Sequence, residues 1–210
     1  MKALEILKAS KKSDTCFIIG GGPSLGAYLP DTTTLDGKDI ICCNNAYKLF
    51  PNAMACIFAD TSWFFNDINK HYEHLKEFSG HVVTVNTAER ARFQDTFVKL
   101  LFHKGTETGI SSAVDRLCGS NTGHMAINLA VLMGYTKIVL IGFDMDSTAS
   151  QTHWHRDHIR ATNTDRYDQV FLPAMASIVP FQNQLNFKIY NINRESKITC
   201  FDFGDLSDFL

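Results

Sequence analysis

The chain has 210 residues, 45% of them apolar, which is enough for one hydrophobic core and predicts a single domain. Its formal net charge of −2 at pH 7 gives no global reason to expect binding to nucleic acid or to an acidic membrane. The six cysteines form no C-x-x-C pair, and no apolar run approaches the ~18 residues of a membrane span. The sequence therefore predicts a cytoplasmic protein with free thiols and no membrane span, and it leaves open whether the chain forms a homo-oligomer.

Short apolar runs bounded by polar or glycine-containing segments predict buried strands. In chain order these runs are residues 16–19, 40–43, 55–59, 81–85, 137–142 and 188–192. Helical patterns lie between them at residues 61–78, 123–133 and 167–184, and Pro173 and Pro180 interrupt the last one. The alternation predicts an α/β fold, a Rossmann-like three-layer sandwich with a mostly parallel sheet. Residues 88–120 and 147–166 are predicted cap or lid segments of this single domain, residues 1–210.

Three glycines follow the first predicted strand in the sequence IIGGGPSLG. Gly20, Gly21 and Gly22 allow the backbone to approach a phosphate closely, and the N–H groups of a following helix can bind it. Pro23 would fit the first position of that helix, where its missing N–H costs nothing, and Ser24 adds a hydroxyl donor. The loop is neither a Walker A motif nor a G-x-G-x-x-G fingerprint. A plain turn is the alternative, but the triple glycine favours an anion site.

Polar residues also follow other predicted strands. Asn44 ends the second strand, where a carboxamide can pair with a base or ribose edge or can form a turn. Asp60 ends the third strand at the edge where ligands of open α/β sheets bind, or else it caps the next helix. Four residues at the start of the helix predicted at 123–133 can either cap that helix or bind a phosphate: Ser120, Asn121, Thr122 and Gly123.

Two aspartates, Asp144 and Asp146, follow the strand predicted at residues 137–142. Their D-x-D spacing can hold Mg²⁺ through carboxylate oxygens, usually alongside substrate phosphates. The sequence leaves the metal dependence open. Asp146 is the weaker candidate, because an aspartate at such a position is more often a loop residue.

The stretch THWHRDHI contains H-x-H-x-D-H, the zinc-ligand pattern of metallo-β-lactamase-like hydrolases. That family needs further ligands downstream, but no histidine follows His158. Its motif also normally follows a strand directly, whereas the residues before this one, DSTASQ, are polar and loop-like. A dizinc site therefore does not fit. The three histidines, His153, His155 and His158, could bind a single metal, lie in a surface loop, or supply acid–base groups from a lid. Arg156 and Arg160 could pair with phosphates.

The sequence IIGGGPSLG resembles the G-x-G-P-S-L signature of two related groups. One comprises the MptE-like 6-hydroxymethylpterin diphosphokinases and flagellin-modification accessory factors; the other comprises bacterial sialyltransferases that use CMP-sialic acid. Phage and bacterial genomes carry short members of this kind. Later blocks resemble both groups in the same order: ICCNNAYKLFPNAMACIFAD, GSNTGHMAINLAVLMGYTKIVLIGFDMD and YNINRESKITCFDF.

The resemblance implies particular roles for the residues described above. It implies that Asn44 contacts the nucleotide, that the segment 120–123 lies near it, and that Asp144 contacts the ribose without a metal. The sequence DHIRATNTD is similar to the sialyltransferase pattern G-H-S-x-N-T-D, which aligns His158 with the general base of that family. The sialyltransferases place paired tyrosines before this histidine, and this chain has none there.

Together these observations predict a nucleotide-dependent transferase that moves a sugar from a nucleotide-activated donor, CMP-type or other, to a hydroxyl acceptor. The predicted catalytic residues are His158, His155 and Asp144, with His153, Arg156 and Arg160 at the phosphate. The nucleotide would be bound by the remaining candidates: Gly20, Gly21, Gly22, Pro23, Ser24, Asn44, Asp60, Ser120, Asn121, Thr122, Gly123 and again Asp144. The alternatives are an Mg²⁺-dependent diphosphokinase that acts on a hydroxymethyl group, and a nucleotide-binding module without catalysis.

Overall fold

The computed structural model describes residues 3–85, 89–94, 96–146, 153–155 and 164–210. Within these ranges the strands form one eight-stranded sheet and one two-stranded sheet, and every pairing is parallel. The strands are β1 (Thr15–Ile19), β2 (Asp39–Cys43), β3 (Ala55–Phe58), β4 (His81–Thr84), β5 (Lys99–Leu100), β6 (Phe102–His103), β7 (Arg116–Leu117), β8 (Lys137–Ile141), β9 (Lys188–Asn191) and β10 (Asp202–Phe203). The predicted α/β fold with its mostly parallel sheet is confirmed, and each of the six predicted strands is present.

The order of strands in the large sheet defines where a ligand crevice can form. This order is β10-β9-β8-β1-β2-β3-β4-β5, so the chain runs outward from β1 to β5 and then returns to β8 on the other side of β1. In register, Ile18 of β1 lies between Ile41 of β2 and Leu140 of β8. Open α/β sheets bind ligands outside the carboxyl ends of the strands at such a reversal. The crevice is therefore expected at the ends of β1 and β8.

Helices cover both faces of the sheet. They are α1 (Ala3–Ala9), α2 (Leu25–Tyr28), α3 (Thr61–Phe64), α4 (His71–Lys76), α5 (Thr122–Met133), α6 (Thr164–Arg166), α7 (Leu172–Ala176) and α8 (Val179–Gln184). Shorter 3₁₀ turns lie at Thr32–Leu35, Asn44–Lys48, Arg90–Phe93 and Leu206–Phe209. In the described part of the chain, none of the helices has the length and apolar character needed to cross a membrane.

The core consists of two layers, one on each face of the sheet. Side chains of a strand alternate between faces, so Cys16 and Ile18 of β1 pack in one cluster with α1 and α5. Phe17 and Ile19 pack in the other cluster with Phe64 of α3. Because both faces are buried, β1 and its neighbours are continuously apolar, which is why these strands could be predicted.

The helix predicted at residues 61–78 is wrong in one respect, because the structure divides it into α3 and α4. The interruption is a local turn in which the side chain of Asn66 accepts hydrogen bonds from the N–H groups of Ile68 and Asn69. Lys70 then adopts a left-handed conformation with φ of 49° before α4 begins. An asparagine that bonds to its own downstream backbone competes with the helix, and here the turn is formed instead.

The helix predicted at residues 167–184 is also interrupted. A π-helical turn spans Tyr167–Phe171, and the N–H of Leu172 donates to the carbonyl oxygen of Tyr167. Pro173 follows directly in α7, and since it has no N–H to donate, the widened turn absorbs the change of register. Pro180 lies in the first turn of α8, where a proline is tolerated.

The two segments predicted as caps differ in what the structure describes. Residues 88–120 contribute β5, which extends the large sheet beyond β4, and both strands of the small sheet. Part of this segment therefore belongs to the sheet itself. Of residues 147–166, only 153–155 and 164–166 lie within the described ranges. A lid function for either segment stays a prediction.

Candidate functional site

The glycine loop after β1 lies directly against the end of β8. The N–H of Gly20 donates to the carbonyl oxygen of Ile141 at 2.7 Å, and the N–H of Gly22 donates to that of Gly142 at 2.8 Å. A Cβ atom on Gly20 would overlap the carbonyl oxygen of Gly142, and one on Gly22 would overlap the Asp144 carboxylate. Glycine is therefore required at both positions for the two strand ends to approach each other.

Asp144 joins three segments of the chain at this place. Its Oδ2 accepts a hydrogen bond from the Ser24 hydroxyl at 2.8 Å, and its Oδ1 accepts one from the Ser24 N–H at 3.2 Å. Oδ1 also accepts one from Asn193 Nδ2 at 3.2 Å. Burial raises the pKa of the Asp144 carboxyl, and the hydrogen bonds from Ser24 oppose that rise. A half-buried carboxylate thus connects the loop after β1, the end of β8 and the segment after β9.

The segment after β9 also holds the backbone around Asp144. The Ser196 hydroxyl donates to the carbonyl oxygen of Phe143 at 2.7 Å, and the Lys197 N–H donates to the carbonyl oxygen of Asp144 at 2.9 Å. Asn193 and Ser196 are not among the residues predicted from the sequence. The available signal was the polar run NINRES directly after a buried strand, the same signal that led to Asn44 and Asp60.

The helix that follows the glycine loop is short and begins later than predicted. The helix α2 begins at Leu25 and has four residues. The prediction that Pro23 occupies the first position of this helix is therefore wrong, because Pro23 lies before it. The N–H groups of Gly20, Gly22 and Ser24 already donate to acceptors within the protein. What the glycines provide is close access to the backbone. Their contact with a nucleotide stays a prediction.

The histidine segment 153–155 crosses the glycine loop. The N–H of Trp154 donates to the carbonyl oxygen of Gly21 at 3.0 Å, and the indole packs against the second core cluster. A Cβ on Gly21 would lie 3.1 Å from Cδ2 of His153. The rings of His153 and His155 lie 5.4 Å apart between centroids. Two of the predicted lid histidines are therefore beside the glycine loop, whereas Arg156, His158 and Arg160 lie outside the described residues.

A second set of contacts connects this segment to the end of β2. The side-chain Nδ2 of Asn45 lies 3.2 Å from Nδ1 of His155, and the Trp63 indole N–H donates to Asn45 Oδ1 at 2.6 Å. Trp63 in turn stacks on the buried ring of His71, with 4.2 Å between centroids. Asn44, the predicted nucleotide contact, is adjacent and has a φ of 50°. Sequence reasoning selected Asn44 and missed the role of Asn45, because nothing in the pattern distinguishes the two.

Two candidates with a capping alternative do cap helices. Asp60 Oδ1 accepts hydrogen bonds from the N–H of Ser62 at 2.8 Å and the N–H of Trp63 at 3.4 Å, at the start of α3. Asn121 Oδ1 accepts one from the N–H of His124 at 3.0 Å, at the start of α5. A contact of either residue with a nucleotide stays a prediction.

The start of α5 reaches the end of β8. A Cβ on Gly123 would lie 2.5 Å from the ring of Phe143, the residue before Asp144. Ser120 Oγ accepts a weak hydrogen bond from Asn121 Nδ2 at 3.4 Å. The predicted nucleotide segment 120–123 is therefore beside the Asp144 network, and glycine is needed at position 123 for the close contact.

His158, one of the residues considered as metal ligands, lies outside the described ranges, whereas Asp144, Asp146, His153 and His155 lie within them. There, no group of three or more histidine, cysteine, aspartate or glutamate side chains is arranged to hold an ion. Both oxygens of Asp144 accept hydrogen bonds from Ser24 or Asn193, and Asp146 makes contacts of its own. The Asp144 carboxylate thus serves the loop as an acceptor, which is also what a ribose hydroxyl would require of it.

Comparison with known proteins gives a match in structure and not in sequence. No protein-family model matches the chain, and no curated protein matches it significantly. The α-2,3-sialyltransferase Cst-I from Campylobacter jejuni matches with a TM-score of 0.59 over 93% of this chain and 82% of that chain, at 14% identity. This chain has the fold of that sialyltransferase. The sialyltransferase CstII from the same organism, solved with the substrate analogue CMP-3FNeuAc, matches with a TM-score of 0.55 at 15% identity, over 92% of this chain and 86% of that chain.

Proposed function

We propose that the chain is a transferase that binds a nucleotide-activated sugar at the carboxyl ends of β1 and β8 and transfers the sugar to a hydroxyl acceptor. The observation that carries the proposal is the Asp144 network, which joins the glycine loop, β8 and the segment after β9 at the reversal of strand order. The fold supports it, since it is shared with two sialyltransferases over more than nine-tenths of the chain.

The proposed reaction is a displacement at the anomeric carbon of the sugar. The bond from this carbon to the phosphate oxygen breaks, and a bond forms from the same carbon to the acceptor oxygen. His158 takes the proton of the acceptor hydroxyl, since an imidazole titrates near neutral pH. The nucleotide leaves with the electron pair of the broken bond, so its phosphate gains negative charge. Hydrogen-bond donors beside the glycine loop stabilise that charge.

The residues at the strand ends have different parts in binding the nucleotide. Asp144 accepts from the ribose hydroxyls while Ser24 and Asn193 hold it in place. Gly20 to Gly22 allow the nucleotide to approach the backbone, and Asn44 and the segment 120–123 complete its binding. His153, Arg156 and Arg160 belong to the phosphate end. CMP is the first nucleotide to test, because the fold is shared with a protein solved with a CMP-sugar analogue.

Thermal-shift measurements against CMP, CDP, UDP, GDP and ATP, each with Mg²⁺ and with EDTA, test the binding step. We expect CMP to raise the melting temperature equally in both conditions. A shift with ATP that requires Mg²⁺ would instead favour the diphosphokinase. No shift with any of these nucleotides would refute the proposed site.

Two aspartate variants locate the binding. Asp144→Asn keeps the size of the side chain but replaces one acceptor oxygen with a donor, so we expect CMP affinity to fall about tenfold, which corresponds to ~1.4 kcal/mol. Asp14→Asn is the matched control. Asp14 lies just before β1, at the amino ends of the strands and so opposite the proposed site, and it pairs with Lys11. Equal affinities of these two variants would place the nucleotide elsewhere.

Turnover separates a transferase from a binding module. With a panel of CMP-activated sugars we expect release of CMP by the wild type, and a loss of kcat of at least 100-fold in His158→Ala with the CMP affinity unchanged. Bound nucleotide without any release of CMP, in wild type and variant alike, would favour the module without catalysis.

A further inference from the structure

The contacts of His155 determine which of its two ring nitrogens carries the proton. The Trp63 indole N–H can only donate, so the Asn45 atom that lies 2.6 Å from it must be the amide oxygen. The other atom of the same amide, Nδ2, can also only donate, and it lies 3.2 Å from Nδ1 of His155. Nδ1 must therefore accept, which leaves Nε2 as the nitrogen that carries the proton in the neutral ring.

We propose that Trp63 and Asn45 are positioning residues that hold His155 as its Nε2–H tautomer, which makes His155 a hydrogen-bond donor to the leaving phosphate and not a base. The assignment of the tautomer follows from the donor and acceptor chemistry of three side chains. The part of this tautomer as a donor to the leaving phosphate rests on the proposed function. From the sequence, His155 was predicted to be catalytic without a specific part, and this geometry gives it one.

The amide of Asn45 is held against rotation. A flip would turn its NH₂ group towards the Trp63 indole N–H, a contact of two donors, and the hydrogen bond to the indole would be lost. Asn45 is 2% exposed, so water does not replace the lost partner. The orientation seen in the structure is therefore the stable one.

The donor at the other end of this chain of contacts is also fixed. Trp63 stacks on His71 at an interplanar angle of 21°, and the His71 ring is fully buried. The Tyr47 hydroxyl lies 2.9 Å from Nδ1 of His71. A buried aromatic group thus holds the indole, the indole orients the amide, and the amide selects the tautomer of the histidine.

The backbone places the same histidine beside the glycine loop. Trp154, its neighbour, donates its N–H to the Gly21 carbonyl oxygen and packs its side chain into the second core cluster. A donor at this place is what the departing nucleotide phosphate requires, since its charge grows as the bond to the sugar breaks. A base at the same place would present a lone pair to that charge.

The tautomer can be measured directly on the protein without nucleotide. Two-bond proton–nitrogen correlation spectra of ¹⁵N-labelled protein at pH 8, where an imidazole is ordinarily neutral, distinguish protonated from unprotonated ring nitrogens. His155→Gln assigns the signals by removing them. We expect Nε2 of His155 to be protonated and Nδ1 to be unprotonated, and the reverse pattern would overturn the proposal.

Two variants test whether Asn45 and Trp63 cause this tautomer. Asn45→Asp presents a carboxylate to Nδ1, so we expect the proton to move to Nδ1. Trp63→Phe keeps an aromatic ring against His71 but removes the indole donor, so the amide can turn and the preference for Nε2–H should be lost. The control Asn52→Asp makes the same charge change at an exposed residue that lies before β3, at the amino ends of the strands and so away from His155. It should leave the spectrum of His155 unchanged.

The spectra test the inferred tautomer and the kinetics test the proposed function, so either can be refuted without the other. With a CMP-activated sugar, Asn45→Asp should lower kcat by about 100-fold, the usual effect of removing a donor to developing charge, and change KM much less. An Nε2–H tautomer in a protein with no turnover would refute the proposed function only. An Nδ1–H tautomer in an active protein would refute the inference only. Should Asn45→Asp not fold, Trp63→Phe tests the same tautomer.

Discussion

Gly22 has no room for a side chain, because a Cβ there would overlap the Asp144 carboxylate and lie 2.7 Å from the carbonyl oxygen of Gly142. We expect Gly22→Ala to lower the free energy of unfolding by about 1–3 kcal/mol, the usual cost of overpacking, and to abolish nucleotide binding. Urea unfolding measures the first effect and the CMP thermal shift measures the second.

Gly26 provides the matched control, since a Cβ there would meet nothing within 4 Å. Gly26 lies in α2, where alanine is favoured over glycine by roughly 0.5–1 kcal/mol. Gly26→Ala should therefore be as stable as the wild type or more so. If both alanine variants unfold at the same urea concentration, the close approach of the two strand ends is not what glycine provides at position 22.

At the scale of single residues, the sequence predicts which strand ends carry polar groups but not which groups meet. Asp144 could be chosen because it follows the most apolar strand. Its partner Asn193 lies 49 positions further along, and no local pattern connects the two. The same holds for Asn45 and His155, which are 110 positions apart. Such contacts depend on the order of strands in the sheet, and short motifs do not encode that order.

At the scale of elements, the start of α5 carries a capping residue whose effect on stability can be separated from binding. Asn121→Ala removes the acceptor of the His124 N–H, and we expect it to lower the free energy of unfolding by about 1 kcal/mol. Asn121→Asp retains an acceptor oxygen and should restore most of that stability. Chemical unfolding of the three proteins checks the order.

The aspartate variant also decides between capping and nucleotide binding at this position. A carboxylate at position 121 would repel a nucleotide phosphate nearby. A stable Asn121→Asp protein with reduced CMP affinity would show that the residue does both. A variant as unstable as Asn121→Ala would mean that Asn121 does not stabilise α5 through its side-chain oxygen.

Element types were predictable wherever the pattern was long. Helix α5 (Thr122–Met133) is one residue longer than the predicted helix 123–133, and Gly134 ends it with a φ of 86°. The division between α3 and α4 was not predicted, because the apolar spacing continues through Asn66, whose hydrogen bonds form the turn. The two-residue strand β5 was missed because two residues carry no alternation to detect.

At the scale of the whole molecule, the buried His124 makes stability depend on pH. Its Nε2 lies 2.7 Å from the carbonyl oxygen of Gly109, so it connects α5 to a distant loop. Burial lowers the pKa of His124 from 6.5 to about 4. Because the unfolded chain binds this proton more readily, stability is complete above pH 6.5 and decreases as the pH falls towards 4.

His124→Gln removes this titration while keeping a polar side chain. Between pH 7 and pH 4 we expect the variant to lose about 3 kcal/mol less of its free energy of unfolding than the wild type, at roughly 1.4 kcal/mol per unit of pKa difference. The comparison is made by urea unfolding at a series of pH values, and it holds even if the variant is less stable at pH 7. Parallel curves for the two proteins would show that His124 is not the source of the dependence.

The fold class itself followed from composition and hydrophobic runs, since strands buried on both faces are continuously apolar. β1, β2, β3 and β8 lie side by side in the centre of the sheet, where this signal is strongest. Their order could not be derived, because a right-handed crossover can place the next parallel strand on either side of the previous one.

Ser24 and Asp144 are hydrogen-bonded although they lie 120 positions apart in the sequence, and this separation affects the order in which the protein can fold during synthesis. When a ribosome has released the glycine loop, the residues that hold it in place have not yet been synthesised. β1 stays without one of its two neighbours until β8 emerges, and Asn193 follows later still. Such non-local pairing is slow to form. The crevice is therefore among the last parts of the molecule to be assembled, and a bound nucleotide would mark a chain that has finished folding.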